Sequence, residues 1–122
     1  MLKISEKILE SEEALSLVDG CSVGQVASQT LSNINVINSA TNYQVLSPLL
    51  GFDKEEIILV AKKINTFELS ILPYQDCCSF LIAEHPATKS NLKEIKGFES
   101  NLKEKELIDQ AIKDSKIRKI IN

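Results

Sequence analysis

Between Asp19 and Asp53 the chain carries no charged side chain, and this absence limits its fold more than any other feature. A solvated helix normally displays Lys and Glu. Here the polar positions are Gln25, Ser28, Gln29, Ser32, Asn33, Asn35 and Asn38, set against the apolar Val23, Val26, Ala27, Leu31, Ile34 and Ile37. Amides and hydroxyls lose far less than charges on leaving water, so this face suits packing against neighbouring protein or hydrogen bonding to a ligand. The segment begins as an apolar strand (Ala14 to Val18), passes a glycine turn at Gly20 and predicts a helix starting at Ser22. Ser22 and Gln25 have the spacing of a capping box. Gly24 in the first turn would let a ligand reach the backbone N–H groups and the positive end of the helix dipole. Many α/β proteins use the same pattern only to reverse the chain, so ligand binding and chain reversal both remain open at this point.

The rest of the chain reads as an alternation of helices and strands. Leu2, Ile4, Ile8 and Leu9 lie near helical spacing and predict an amphipathic helix over 2–12. The helix from Ser22 should fray near Asn38 to Asn42, and Gln44 to Leu46 should form a second strand closed by Pro48, which cannot donate to a ladder. Asp53 with Glu56 makes another capping box, and Asn65 offers the left-handed residue that ends the helix after it. Thr66 to Pro86 reads as loop apart from short apolar runs, and 89–106 as a solvated face and linker of mixed charge. Asn101 with Glu104 would cap a last helix, and Lys116 to Ile121 a closing edge strand. The order β, α, β, α points to an α/β fold with parallel strands.

Composition narrows the function classes. A chain of 122 residues with net charge −3 has room for one domain, 1–122, and no Lys or Arg cluster free of neighbouring acids, so by itself it should bind RNA weakly. No apolar run reaches membrane length and the opening residues lack a signal-peptide core, which predicts no membrane partner and a cytoplasmic location. Three cysteines without a Cys-x-x-Cys fit a reducing compartment better than a disulfide framework or a metal site. Cys77 and Cys78 read equally as small buried hydrophobes or as a reactive pair, and His85 before Pro86 as structural.

The run Gly20, Ser22 and Gly24-Gln25-Val26-Ala27-Ser28-Gln29-Thr30 resembles the nucleotide-site segment of the tRNA sulfurtransferases, the 4-thiouridine synthetases of the thiamine-biosynthesis ThiI type. The resemblance continues through Pro48 to Gly51, Asp53 to Ile58, Ile71 to Cys78 and His85 to Thr88. It implies a three-layer parallel-sheet fragment of an adenine-nucleotide alpha-hydrolase-like (PP-loop, HUP-type) domain, with its core in 1–89 and a charged linker, helix and edge strand in 90–122. It also implies ATP, with Mg in the complete enzyme, and tRNA and a cysteine desulfurase as partners. ATP would adenylate a tRNA uridine, and persulfide sulfur would then displace AMP. Gly20 and Gln29 match nucleotide-contacting positions, with Ser22 and Gln25 beside them, and Cys77 or Cys78 matches the cysteine that handles sulfur. Cys21 departs from the pattern, which has an acidic or amide residue there.

No Ser-Gly-Gly-x-Asp-Ser phosphate loop occurs in the sequence. The chain therefore resembles the C-terminal half of the ATP-pyrophosphatase domain, with the N-terminal half missing and ATP held only weakly. Three readings follow: a portion of the enzyme that is inactive alone, a noncatalytic sulfur-relay or interaction module, or a structural remnant. A sheet with lost neighbours should leave uncovered apolar surface around Ser22 to Leu50, and this predicts a homo-oligomer. Protection of Val26, Leu31 and Leu46 from solvent would instead mark a fragment that closes its own core.

Overall fold

The computed structural model describes residues 1–74 and 86–120. Helix α1 (Leu2–Ser11) starts the chain and buries Leu9. It ends where Glu13 takes a left-handed conformation (φ 52°) and the Ala14 N–H returns to the Leu9 carbonyl at 3.0 Å, a reversal glycine more often supplies. Strand β1 (Ser16–Val18), helix α2 (Leu31–Asn38) and strand β2 (Gln44–Leu46) then form a β-α-β unit whose strands pair as a small parallel sheet. Among the described residues four helices follow: α3 (Lys54–Lys63), α4 (Phe67–Ser70), α5 (Leu92–Glu99) and α6 (Glu104–Asp114).

Several sequence expectations hold. The strand Gln44–Leu46 is present, Asp53 and Glu56 form a reciprocal capping box at the start of α3, and Asn65 is left-handed (φ 58°) just beyond the end of that helix. Acidic Glu55 and Glu56 in its first turn and basic Lys62 and Lys63 in its last complement the helix dipole.

Others fail for identifiable reasons. The helix after Ser22 begins only at Leu31, because Gly24 at φ +81° lies in a turn conformation that no right-handed helix contains. The Ser22–Gln25 capping box does not form. Thr30 caps α2 instead, its Oγ1 accepting the Asn33 N–H at 3.2 Å. The mixed-charge stretch expected as a linker contains α5, whose start is capped by Asn91 through the Lys93 N–H at 2.9 Å. Asn101 does not cap α6 but turns back to the Gly97 carbonyl. A single helical turn, α4, interrupts the loop expected after Thr66. Lys116 to Ile120 form no strand, so the sheet has two strands among the described residues.

Contacts divide the chain into two compact units, Met1–Leu17 with Asn35–Leu46 and Ser90–Asn122, and Val18–Ile34 with Ser47–Lys89. In the first, α1 packs on α6, and Lys3 donates to Glu104 at 2.7 Å and Glu99 at 2.9 Å. Those two bonds, that to Glu104 foremost, raise the Lys3 ammonium above its ordinary pKa. In the second, α3 packs on α4, with the Lys62 ammonium 4.9 Å from the centre of the Phe67 ring.

The apolar core is thin. Among the described residues only Leu9 (4% exposed) and Ile34 (7%) are buried hydrophobes, while Val26, Leu31 and Leu46 stand 53%, 66% and 45% exposed. The condition that would have marked a self-closed fragment is therefore not met. No helix among the described residues is long and apolar enough to cross a membrane.

Candidate functional site

In open α/β sheets, ligands bind beyond the carboxyl ends of the strands, where the connecting loops emerge. β1 runs out at Asp19 and β2 at Ser47, and the two loops that follow are stitched together. The Asp19 carboxylate accepts the Cys21 N–H at 3.2 Å. Burial works to raise the Asp19 pKa, but the neighbouring Ser47 hydroxyl, Cys21 thiol and Cys21 N–H outweigh it and hold the carboxyl below the usual range. The Ser22 hydroxyl is buried and donates to the Phe52 carbonyl at 2.7 Å, and the Val23 N–H donates to the Leu50 carbonyl at 3.0 Å.

From this seam the chain turns through residues 23–28 and comes back at Gln29. The Gly24 N–H donates to the Gln29 carbonyl at 2.9 Å, and the Gln29 N–H donates to the Val26 carbonyl at 2.9 Å. The side-chain carbonyl of Gln29 receives the Ser22 N–H through a longer contact of 3.4 Å. Gln29 is thus held at its backbone N–H, its backbone carbonyl and its Oε1, and among the described residues nothing accepts from its Nε2. A half-buried amide fixed this way offers a pre-aimed NH2 group with both of its protons to donate.

Gly20 has no conformational or packing reason of its own to be glycine. Its φ lies outside the left-handed region and a Cβ built on it would meet nothing within 4 Å. The space that a side chain would fill is open, as close approach of a ligand to the backbone requires. Gly24 differs: its φ of +81° would strain any other residue. The structure thus joins Ser22 to Gln29 across the turn, with Gly20 exposed two residues before Ser22, and leaves Gln25 exposed without a part in that contact. Cys77, Cys78 and His85 lie outside the described residues.

Asn33, which the sequence reading placed only on a polar helix face, and Thr30, which it gave no role of its own, take structural roles here. Asn33 is buried and spends both protons of its amide on carbonyls, Ser28 at 2.9 Å and Ala87 at 2.7 Å. Thr30 donates to the Thr88 carbonyl at 2.7 Å while it caps α2. The available signal was Thr30 itself, a capping residue directly before the apolar Leu31 and three before Asn33.

Cys21, the one cysteine among the described residues, sits inside the seam. Burial foremost, then its bond to Asp19 and the Asp19 charge, push the thiol above its ordinary pKa. Since the thiolate is the nucleophile, Cys21 is expected to alkylate slowly at neutral pH, and its rate should climb about tenfold per pH unit until the pH passes that raised pKa. Mass mapping after brief iodoacetamide treatment at pH 7 and pH 9 checks this. Rapid, pH-independent labelling of Cys21 would contradict it.

Comparison with known proteins gives a consistent result. The family model described as thiamine biosynthesis protein (ThiI) matches residues 1–104. The chain is similar to a probable tRNA sulfurtransferase of Acetivibrio thermocellus, 48% identical over 117 residues that cover 96% of this chain and 30% of the relative. A second, from Caldanaerobacter subterraneus, is 46% identical over 109 residues, 89% of this chain and 29% of the relative. Among solved structures, a 4-thiouridine synthetase in complex with RNA and bound ATP is similar at a TM-score of 0.81 and 42% identity, across 91% of this chain and 29% of that one. The chain therefore spans about 30% of the length of the curated relatives it matches.

Proposed function

Because the chain belongs to the thiamine biosynthesis protein (ThiI) family, we propose that its turn at residues 20–29 is the adenosine side of the ATP site of a tRNA sulfurtransferase. The backbone at Gly20 lies against the adenosine, Gln29 Nε2 donates to it, and Ser22 holds the turn in place, with Gln25 at the rim. The observation that carries this reading is Gln29, an amide fixed at three points with its Nε2 donor left over. The bound ATP in the similar 4-thiouridine synthetase structure supports it from outside the chain.

On this reading, ATP supplies the activation that turns a uridine oxygen into a leaving group, and sulfur then displaces AMP. The residues of this chain bind and orient the nucleoside. The sequence holds no Ser-Gly-Gly-x-Asp-Ser loop, so we infer that the phosphates and their Mg are gripped by other residues of the functional enzyme. One of Cys77 and Cys78 carries the sulfur delivered by a cysteine desulfurase, tRNA is the acceptor in the cytoplasm, and the product is 4-thiouridine, with a link to thiamine thiazole synthesis. The exposure of Val26 and Leu31 supports self-association through the region beside the turn.

A titration followed by the backbone and side-chain amide resonances of the 15N-labelled chain tests the nucleotide reading. ATP and AMP at millimolar concentration are both expected to shift Gly20, Ser22 and the Gln29 Nε2 group, while pyrophosphate alone leaves them in place. Gln29→Glu keeps the shape, removes the donor and is expected to weaken ATP about tenfold, the value of a lost hydrogen bond made worse by a carboxylate. Absence of any shift in residues 20–29 would sink the reading, and so would equal shifts from pyrophosphate.

A further inference from the structure

Asn33 is a buried amide of the second unit with both amide protons engaged, and its partners are far apart in sequence. One amide proton goes to the Ser28 carbonyl and the other to the Ala87 carbonyl. Because the side chain is buried, neither proton can fall back on water, and breaking either bond would leave a buried donor unsatisfied.

The bond to Ser28 has a particular geometrical effect. The Ser28 carbonyl and the Gln29 N–H belong to one rigid peptide plane. Asn33 holds the carbonyl end of that plane, and the Val26 carbonyl holds its N–H end at 2.9 Å. With both ends tethered the plane cannot rotate, and because the Gly24 N–H holds the Gln29 carbonyl at 2.9 Å on the following plane, the backbone from which the Gln29 side chain leaves is restrained on both sides. Without Asn33 only one tether remains, and the plane is free to turn about it. Thr30, donating to the Thr88 carbonyl, makes a second bond beside the one to Ala87.

We propose that Asn33 is a positioning residue for Gln29: it fixes the peptide plane from which the Gln29 amide reaches the nucleoside and, through Ala87, ties the chain at 86–88 to the same turn. The proposal rests on the reading of Gln29 as a nucleoside donor, but the restraint on its backbone is measurable without any ligand. A purely space-filling Asn33 would affect stability alone. A positioning Asn33 also controls local order at Gln29 and affinity for ATP in protein that remains folded.

The experiment uses the 15N,13C-labelled chain. Through-hydrogen-bond couplings from Asn33 Nδ2 to the Ser28 and Ala87 carbonyl carbons are expected in the unaltered protein, and their absence would overturn the proposal even if no variant folds. Asn33→Asp preserves the shape and removes both donors, and Asn33→Ala removes the side chain. At a temperature where each is folded, both are expected to speed amide exchange at the Gln29 N–H and weaken ATP about fivefold to tenfold, while α3 amides exchange as before. Unchanged Gln29 exchange in folded Asn33→Asp would overturn the proposal. If the unaltered chain shows ATP shifts nowhere in residues 20–29, the nucleotide reading fails, and Gln29 exchange in the variants still decides whether Asn33 positions that residue.

Discussion

Leu9→Ala is expected to cost about 2–4 kcal/mol of stability, the lower and middle part of the range for truncating a buried leucine. Leu9 is the buried residue of α1, the helix that packs on α6, and Ile34 is the other buried hydrophobe among the described residues. A thin shell around the site lets neighbouring side chains partly collapse into the space, which keeps the loss below the maximum. The proportional effect is still large, because small proteins hold only about 5–15 kcal/mol in total. Urea unfolding should show a lowered midpoint with an unchanged slope, and amide protection should fall in α1 and α6. A loss under about 0.5 kcal/mol would mean that Leu9 is covered more loosely than its burial indicates.

Ser22→Ala should have the next largest effect, about 1–3 kcal/mol, for a different reason. The hydroxyl is buried and donates at 2.7 Å to the Phe52 carbonyl, so the substitution leaves that acceptor without its donor instead of removing a matched pair. For a chain of this length each kcal/mol lowers the melting temperature by roughly 3–6 °C. Ser22→Thr keeps the donor and should recover part of the loss if the added methyl can be accommodated. The seam joining the loops after β1 and β2 would be the first region to lose amide protection in Ser22→Ala, and the Val23 N–H bonded to Leu50 is its reporter. Equal stability of Ser22→Ala and the unaltered protein would show that water takes over the bond.

What the sequence made legible was local. The Asp53–Glu56 box, the left-handed Asn65 and the strand Gln44–Leu46 depend on residues within one turn or one strand, and each was readable there. Ser22 with Gln25 met the same spacing rule and misled. The deciding residue was Gly24, whose positive φ breaks the helix that the rule presumes, and the true cap, Thr30, lay one turn of chain further on. Helix α5 was hidden by its own charges, since mixed Lys and Glu read equally well as linker and as the wet side of a helix. Gly20 and Gln29 were singled out by the family resemblance, and the contact between Ser22 and Gln29 spans only seven residues, a separation that local reading can reach. Asn33 was missed as a structural centre because its partner Ala87 is 54 residues away, and no local pattern encodes that meeting. The cysteine pair Cys77 and Cys78 remains a proposal from family membership.

The frame around the turn has a property that bears on how freely this protein can change. Its long-range bonds run from a few donors, the side chains of Ser22, Thr30 and Asn33 and the main-chain N–H of Val23, to main-chain carbonyls at Leu50, Phe52, Ala87 and Thr88. A carbonyl belongs to every amino acid, whereas a hydroxyl or a carboxamide of the right length does not. The information that specifies the frame therefore sits almost wholly on one side of each bond. Drift can rewrite the side chains at the acceptor positions, subject only to their own packing, while the three side-chain donors are locked. A small set of residues thus carries the specification of a site assembled from widely separated chain, and the remainder of its wall is open to divergence.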